Sequence, residues 1–275
     1  MQHSFVTVSD GRRIAYRLDG KATKQVLVLS NSIGTSMHMW DNIVKPLTEH
    51  FYLLRYDIRG HGASDAPDEE YTMGRLGQDV IDLLDHLGFK RVHFLGLSFG
   101  GIVGQWLGVH AAARLNHLIL SNTTPYIGPP EWWNELIVSV QTQGDVTNLA
   151  DMFLNNWFSP ELLSSAPEVI EPFRRDLLAM SPQGFIGSFA AHRDTDMRQL
   201  LSSIKVPTLV IIGADDPVTL PSHGKLIART IPGAELVTLP VKHLSNIEQP
   251  GKFVELVTAF LSADTAAKSQ AKAAR

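Results

Sequence analysis

Apolar and polar residues alternate over residues 4–8 and again over 12–18, with Asp10-Gly11 between the two runs. A period of two on either side of Asp-Gly predicts a β-hairpin. Six later runs are short, largely apolar and mostly rich in Val, Ile and Leu: residues 26–30, 51–56, 91–95, 115–121, 207–213 and 234–239. Such runs predict strands buried on both faces. Residues 73–87, 101–109, 220–230 and 247–261 repeat their apolar positions at helical spacing, and Gly88 is a natural stop for the first of them. Strands alternating with helices predict an α/β fold: a mostly parallel eight-stranded sheet, helices on both faces, opened by an antiparallel hairpin. Ligands of such sheets bind beyond the carboxyl ends of the strands.

The texture changes after Asn122. Pro125, Gly128, Pro129 and Pro130 mark a boundary, and residues 132–195 read as helical, broken by Pro160, Pro167, Pro172 and Pro182. Three of the five tryptophans lie there. The expected organisation is a core of residues 1–124 and 196–275 with a helical cap of residues 125–195 inserted in it.

Composition then narrows the partners. A chain of 275 residues, 44% hydrophobic and 19% charged, is an ordinary globular protein able to bury a large core. Its net charge of −4 argues against nucleic acid or an anionic membrane as partner, and a monomer or homodimer is expected. With no cysteine, thiolate catalysis, disulfides and Cys-ligated metals are excluded, and neither metal nor cofactor is expected. Met1-Gln2-His3-Ser4-Phe5 lacks a basic region followed by an apolar core, so no signal peptide and a cytoplasmic location are expected.

The candidate chemistry centres on Gly96-Leu97-Ser98-Phe99-Gly100. Placed between a strand and a helix, Gly-x-Ser-x-Gly forms a nucleophile elbow, which holds the serine hydroxyl out at the sheet edge over a helix N-terminus. A serine needs a base, and in this architecture the chain order is Ser, acid, His. Of the eleven histidines, only His223 and His243 follow the candidate acids. His223 falls within an expected surface helix, whereas His243 lies just past the last strand, so His243 is the expected base. Asp215 and Asp216 both follow the strand at 207–213, and the spacing Gly213-x-x-Asp216 favours Asp216. An oxyanion needs N–H donors; the backbone of Phe99 and of Ile33, in the loop after residue 30, are the candidates. Asp57, Arg59 and His61 read as a structural loop cluster. In the cap, Trp132, Trp133, Trp157 and Phe158 are candidate pocket walls.

These residues resemble the α/β-hydrolase superfamily over nearly the whole chain. The closer resemblance is to the 3-oxoadipate enol-lactonases. It is carried by Ser30-Asn-Ser-Ile-Gly-Thr-Ser-Met-His-Met-Trp-Asp41, Arg55-Tyr-Asp-Ile-Arg-Gly-His-Gly-Ala-Ser64, Gly96-Leu-Ser-Phe-Gly-Gly101 and His243-Leu-Ser-Asn-Ile-Glu-Gln-Pro250. Phe99 departs from the Met more usual there. The resemblance implies opening of an anionic enol-lactone to 3-oxoadipate, in the β-ketoadipate route of aromatic breakdown. The lactone's carboxylate would need a local partner, and Arg193, where the cap rejoins the core, is the candidate, with pairing to Asp194 or Asp196 as the alternative. Other readings are a carboxylesterase, a perhydrolase, a C–C bond hydrolase, or a receptor of hydrolase fold.

Overall fold

The structure is a computed structural model and describes residues 3–273. Its strands are β1 (Ser4–Thr7), β2 (Arg13–Asp19), β3 (Val26–Ser30), β4 (Tyr52–Tyr56), β5 (Val92–Leu97), β6 (Leu115–Ser121), β7 (Thr208–Gly213) and β8 (Glu235–Leu239). They form one sheet in the order β1-β2-β4-β3-β5-β6-β7-β8. β1, β2 and β4 pair antiparallel, and every pairing from β4 to β8 is parallel. The helices are α1 (Asp41–Thr48), α2 (Met73–His86), α3 (Phe99–His110), α4 (Pro130–Gln143), α5 (Thr147–Trp157), α6 (Pro160–Ser165), α7 (Pro167–Ala179), α8 (Pro182–Arg193), α9 (Pro221–Thr230), α10 (Ser245–Glu248) and α11 (Pro250–Ala273). No helix among the described residues is long and apolar enough to cross a membrane.

Side-chain alternation along a strand explains why both faces of the sheet are covered. Phe94 of β5 and its register partner Leu118 of β6 face Gly104 of α3. Their neighbours His93 and His117 point the other way, where the His117 ring meets Phe260 of α11 edge-on at 5.4 Å. The interior strands β5 and β7 are buried along their whole length.

Two local expectations are corrected. Residues 247–261 are not one helix: Pro250 lacks an N–H and starts a new one, so α10 ends at Glu248 and α11 begins two residues later. β5 also runs on through Gly96 and Leu97, because both still pair with β6. In the helical segment, four prolines do not interrupt helices but open them. Pro130, Pro160, Pro167 and Pro182 each occupy the first turn, where a missing N–H costs nothing.

The segment between β6 and β7 holds α4 to α8 and no strand. It meets the core through glycines. A Cβ on Gly184 of α8 would lie 2.1 Å from the Gly60 carbonyl oxygen, and one on Gly187 would lie 2.6 Å from the Tyr71 ring. The Tyr71 N–H also donates to the Gly187 carbonyl at 3.2 Å. Backbone therefore touches backbone where α8 crosses the loop after β4. Gly184→Ala should force the two apart and cost about 1–3 kcal/mol of stability, read as a lower urea midpoint. An unchanged midpoint would show that the docking does not depend on this close approach.

Candidate active site

Ser98 occupies the single residue between β5 and α3, at φ 55° and ψ −114°. A side-chain-bearing residue at such angles stores about 1–3 kcal/mol of strain. The turn is possible because its neighbours are glycines. A Cβ on Gly96 would lie 2.1 Å from the Gly100 carbonyl oxygen, and one on Gly100 would lie 2.3 Å from that of Ser30. Hydrogen bonds then hold it. The Ser98 N–H donates to the Ser121 carbonyl at 3.0 Å, while the Ser98 carbonyl accepts from Thr123 Oγ1 at 2.7 Å and the Gly101 N–H at 2.9 Å.

The same turn positions the loop after β3. The Gly100 N–H reaches the Asn31 carbonyl at 2.8 Å and so draws the loop after β3 against the start of α3. That loop is fastened from behind. Trp40 Nε1 donates to Asn31 Oδ1 at 2.9 Å, and Asn31 Nδ2 donates to the Tyr56 carbonyl at 3.1 Å. The Gly34 N–H donates to His61 Nε2 at 3.0 Å. His61 Nδ1 lies 3.1 Å from the Arg59 carbonyl, which can only accept, so Nδ1 carries the proton and Nε2 is the acceptor. The N–H groups of Ile33 and Phe99 have no acceptor among the described residues. They remain available on either side of the Gly100–Asn31 bond.

His243 and Asp216 meet at 2.8 Å, Nδ1 to Oδ2, with both side chains buried. Four further donors converge on the carboxylate. Asn122 Nδ2 (3.0 Å) and Thr219 Oγ1 (2.7 Å) reach Oδ2, and the N–H groups of Val218 (2.9 Å) and Thr219 (3.0 Å) reach Oδ1. Burial opposes its charge, but His243 and these hydrogen bonds outweigh burial and hold its pKa down at about 2. An ionised carboxylate only accepts, so His243 carries its proton on Nδ1 and leaves Nε2 basic. Asp215 is exposed and takes no part.

Ser98 and His243 line one cavity beneath the helical segment, together with Ile33, Trp132 and Trp133. Ser98 Oγ and His243 Nε2 have no hydrogen-bond partner among the described residues, and both residues face this cavity.

Two expectations about the cap fail. Arg193 does not reach the cavity. Its five N–H groups are all committed: to Asp194 at 2.7 Å twice, to Glu70 at 2.8 and 3.1 Å, and to Asn134 at 3.2 Å. It fastens α8 to the loop before α2 and to α4. Phe158 is fully buried against Phe173, ring centroids 5.1 Å apart, and is not a wall, whereas Trp157 is.

The residue beside Arg193 was missed in the sequence. His192 lines the cavity, stacked between Phe99 (4.7 Å, 30°) and Trp133 (4.5 Å, 5°). Burial, helped by the nearby His243, lowers its pKa to about 3, so the ring is neutral. The available signal was its spacing of three from Phe189, which puts both on one face of α8. Asn122 carries no local sign of its part; its role as a donor to Asp216 needs β6 and β7 side by side. Asp57, Arg59 and His61 tie loops together. Asp57 accepts from Met37 and Ala63 N–H groups at 2.6 and 2.9 Å, and Arg59 pairs with Asp79 at 2.8 Å.

The family model for the alpha/beta hydrolase fold matches residues 25–250. The protein named 3-oxoadipate enol-lactonase 2 of Acinetobacter baylyi is 37% identical over 246 residues, covering 90% of this chain and 92% of that protein. Among solved structures, a hydrolase from Pseudomonas aeruginosa PA01 is 55% identical with a TM-score of 0.93, covering 95% of this chain and 98% of that one. The enol-lactonase from Burkholderia xenovorans LB400 is 38% identical with a TM-score of 0.91, covering 94% and 100% respectively.

Buried neutral histidine also sets an acid limit. Burial lowers the His61 pKa from the ordinary 6.5 to about 4. Between those values the unfolded chain binds the proton and the folded chain does not. Stability is therefore present above pH 6.5 and falls as pH drops toward 4, by about 1.4 kcal/mol per unit within that window. In His61→Asn the amide does not titrate. Urea unfolding at pH 7 and pH 5 should show a loss about 1–2 kcal/mol smaller in that variant than in the wild type. Equal losses would mean that His61 is not held neutral.

Proposed function

The chain belongs to the alpha/beta hydrolase family, and from that premise we propose that it is a serine hydrolase that opens 3-oxoadipate enol-lactone to 3-oxoadipate through an acyl-enzyme. The observation that carries the chemistry is a serine and a histidine facing one cavity, with the histidine oriented by a buried ionised carboxylate. The likeness to enol-lactonases over almost the full length supports the choice of substrate. In this reading residues 125–195 are a cap over a core of residues 1–124 and 196–275, and the enzyme serves the breakdown of aromatic acids.

The steps follow from the atoms available. Ser98 Oγ attacks the lactone carbonyl carbon and gives its proton to His243 Nε2. The imidazolium is stabilised by Asp216 through Nδ1–H. The N–H groups of Ile33 and Phe99 receive the developing oxyanion. Collapse breaks the ring C–O bond, and the enol oxygen takes the proton from His243. The enol then becomes the ketone. His243 next takes a proton from water, hydroxide attacks the acyl carbon, and the Ser98–acyl bond breaks with return of the proton to Oγ. An enolate is a good leaving group, so protonating it asks little of His243.

Hydrolysis of the enol-lactone, of p-nitrophenyl esters and of a ring-cleavage diketone should be measured side by side. The lactone is expected to have the highest kcat/KM; preference for the diketone would overturn the reading. Ser98→Ala should lower kcat about a thousandfold or more with little change in stability. Near-normal turnover by that variant would rule out the serine mechanism.

The two neighbouring carboxylates separate in the same assay. Asp216→Asn should lower kcat strongly, because an amide in place of the carboxylate would favour the wrong imidazole tautomer. Asp215→Asn, at an exposed position, should stay within about twofold of the wild type. The reverse order would assign the orienting role to Asp215.

A further inference from the structure

Among the described residues the cavity beside Ser98 has no permanently cationic side chain. No Lys or Arg lines it, and Arg193 is spent on Asp194, Glu70 and Asn134. Yet the substrate proposed above carries a carboxylate, and an anion enters an apolar pocket only if hydrogen-bond donors replace its water.

Beyond Ser98 and His243, the described cavity does hold unspent polar groups, and they come from the helical segment. His192 is 5% exposed, and its Nδ1 is buried without a hydrogen-bond partner. The other ring nitrogen makes no hydrogen bond to a described residue either. Buried polar groups are nearly always satisfied, so such a ring calls for an explanation. Thermal wandering does not supply one, because Phe99 and Trp133 clamp both faces of the imidazole. The Asn156 amide also lines the cavity and has no partner among the described residues. Apart from Ser98 and His243, the polar side chains nearer the core are engaged: Thr219 Oγ1 donates to Asp216, and Thr124 Oγ1 donates to the Tyr126 carbonyl.

Resting on the enol-lactonase reading, we propose that His192, seconded by Asn156, is the subsite that takes the substrate's carboxylate arm by neutral hydrogen bonds. The ring stacks on Phe99, the residue after the nucleophile, so the arm is held close to the reacting carbonyl. Neutral donors also suit the product. Ring opening creates a second carboxylate, and a fixed cation would retain that dianion, whereas neutral donors let it leave.

His192→Phe preserves a flat ring in the stack and removes both nitrogens. The enol-lactone and its neutral methyl ester should be compared as substrates of the wild type, His192→Phe and Asn156→Ala. For His192→Phe, kcat/KM on the anionic lactone should fall ten- to a hundredfold more than on the methyl ester, chiefly through KM. Asn156→Ala should shift the same ratio in the same direction by a smaller factor. Equal losses on both substrates would overturn the subsite and leave the enol-lactonase reading intact. A second measurement does not depend on that reading: adipate as an inhibitor of p-nitrophenyl acetate hydrolysis. Its inhibition constant should rise at least tenfold in His192→Phe. Equal constants in wild type and variant, or no inhibition of the wild type, would overturn the proposal. His192-dependent inhibition by adipate in a wild type that leaves the enol-lactone untouched would keep the subsite and discard the substrate.

Discussion

A serine at positive φ is the constraint on which the rest of this structure depends. Its strain has to be offset locally, and the surroundings are built to do so. Gly96 and Gly100 let strand, turn and helix approach to distances that no Cβ would allow. Ser121 and Thr123, at the end of the adjacent strand, hold the Ser98 backbone on both sides. Because α3 begins at the next residue, the strained turn also puts the N-terminus of a helix directly after Ser98. Strain, the position of the serine hydroxyl and the start of the helix are thus one local arrangement.

The sheet then gathers the remaining groups. Parallel strands end on one side, and Asn31, Asn122, Asp216 and His243 all follow the carboxyl ends of their strands. Asn122 is the joint between three of them. Its amide donates to Asp216 and to the Lys242 carbonyl, while its own oxygen accepts from Ser121 and Ser245. Every polar atom of that buried side chain is used. It holds the loop after β7 and the loop after β8 in one relative position, which is what a 2.8 Å contact between Asp216 and His243 demands.

The helical segment docks by the same means as the elbow, through glycine where backbone meets backbone. Arg193 reinforces that docking with five hydrogen bonds spread over three partners. Its commitment to the scaffold leaves the cavity walls apolar apart from a few neutral groups. Burial keeps His192, in the cavity wall, and His61, behind the loop after β3, uncharged, and their neutrality makes the fold sensitive to acid.

The amino-acid sequence by itself determined the strands, most helices, the elbow and the order Ser98, Asp216, His243. Those features are written in short-range patterns: a period of two or 3.6, glycines at fixed offsets, a polar residue just past a buried run. Spacing from Gly213 favoured Asp216 over Asp215, but the contacts that distinguish the two are tertiary: the Asn122 amide, the Thr219 hydroxyl and His243 reach Asp216 and not Asp215. Tertiary structure alone also turned Arg193 outward and His192 inward. Neighbours on a helix point about 100° apart, and the spacing from Phe189 puts His192 on that residue's face without saying that this face lies over the cavity. That depends on the Gly60–Gly184 contact, between residues far apart in the chain, which sets the rotation of α8 over the cavity.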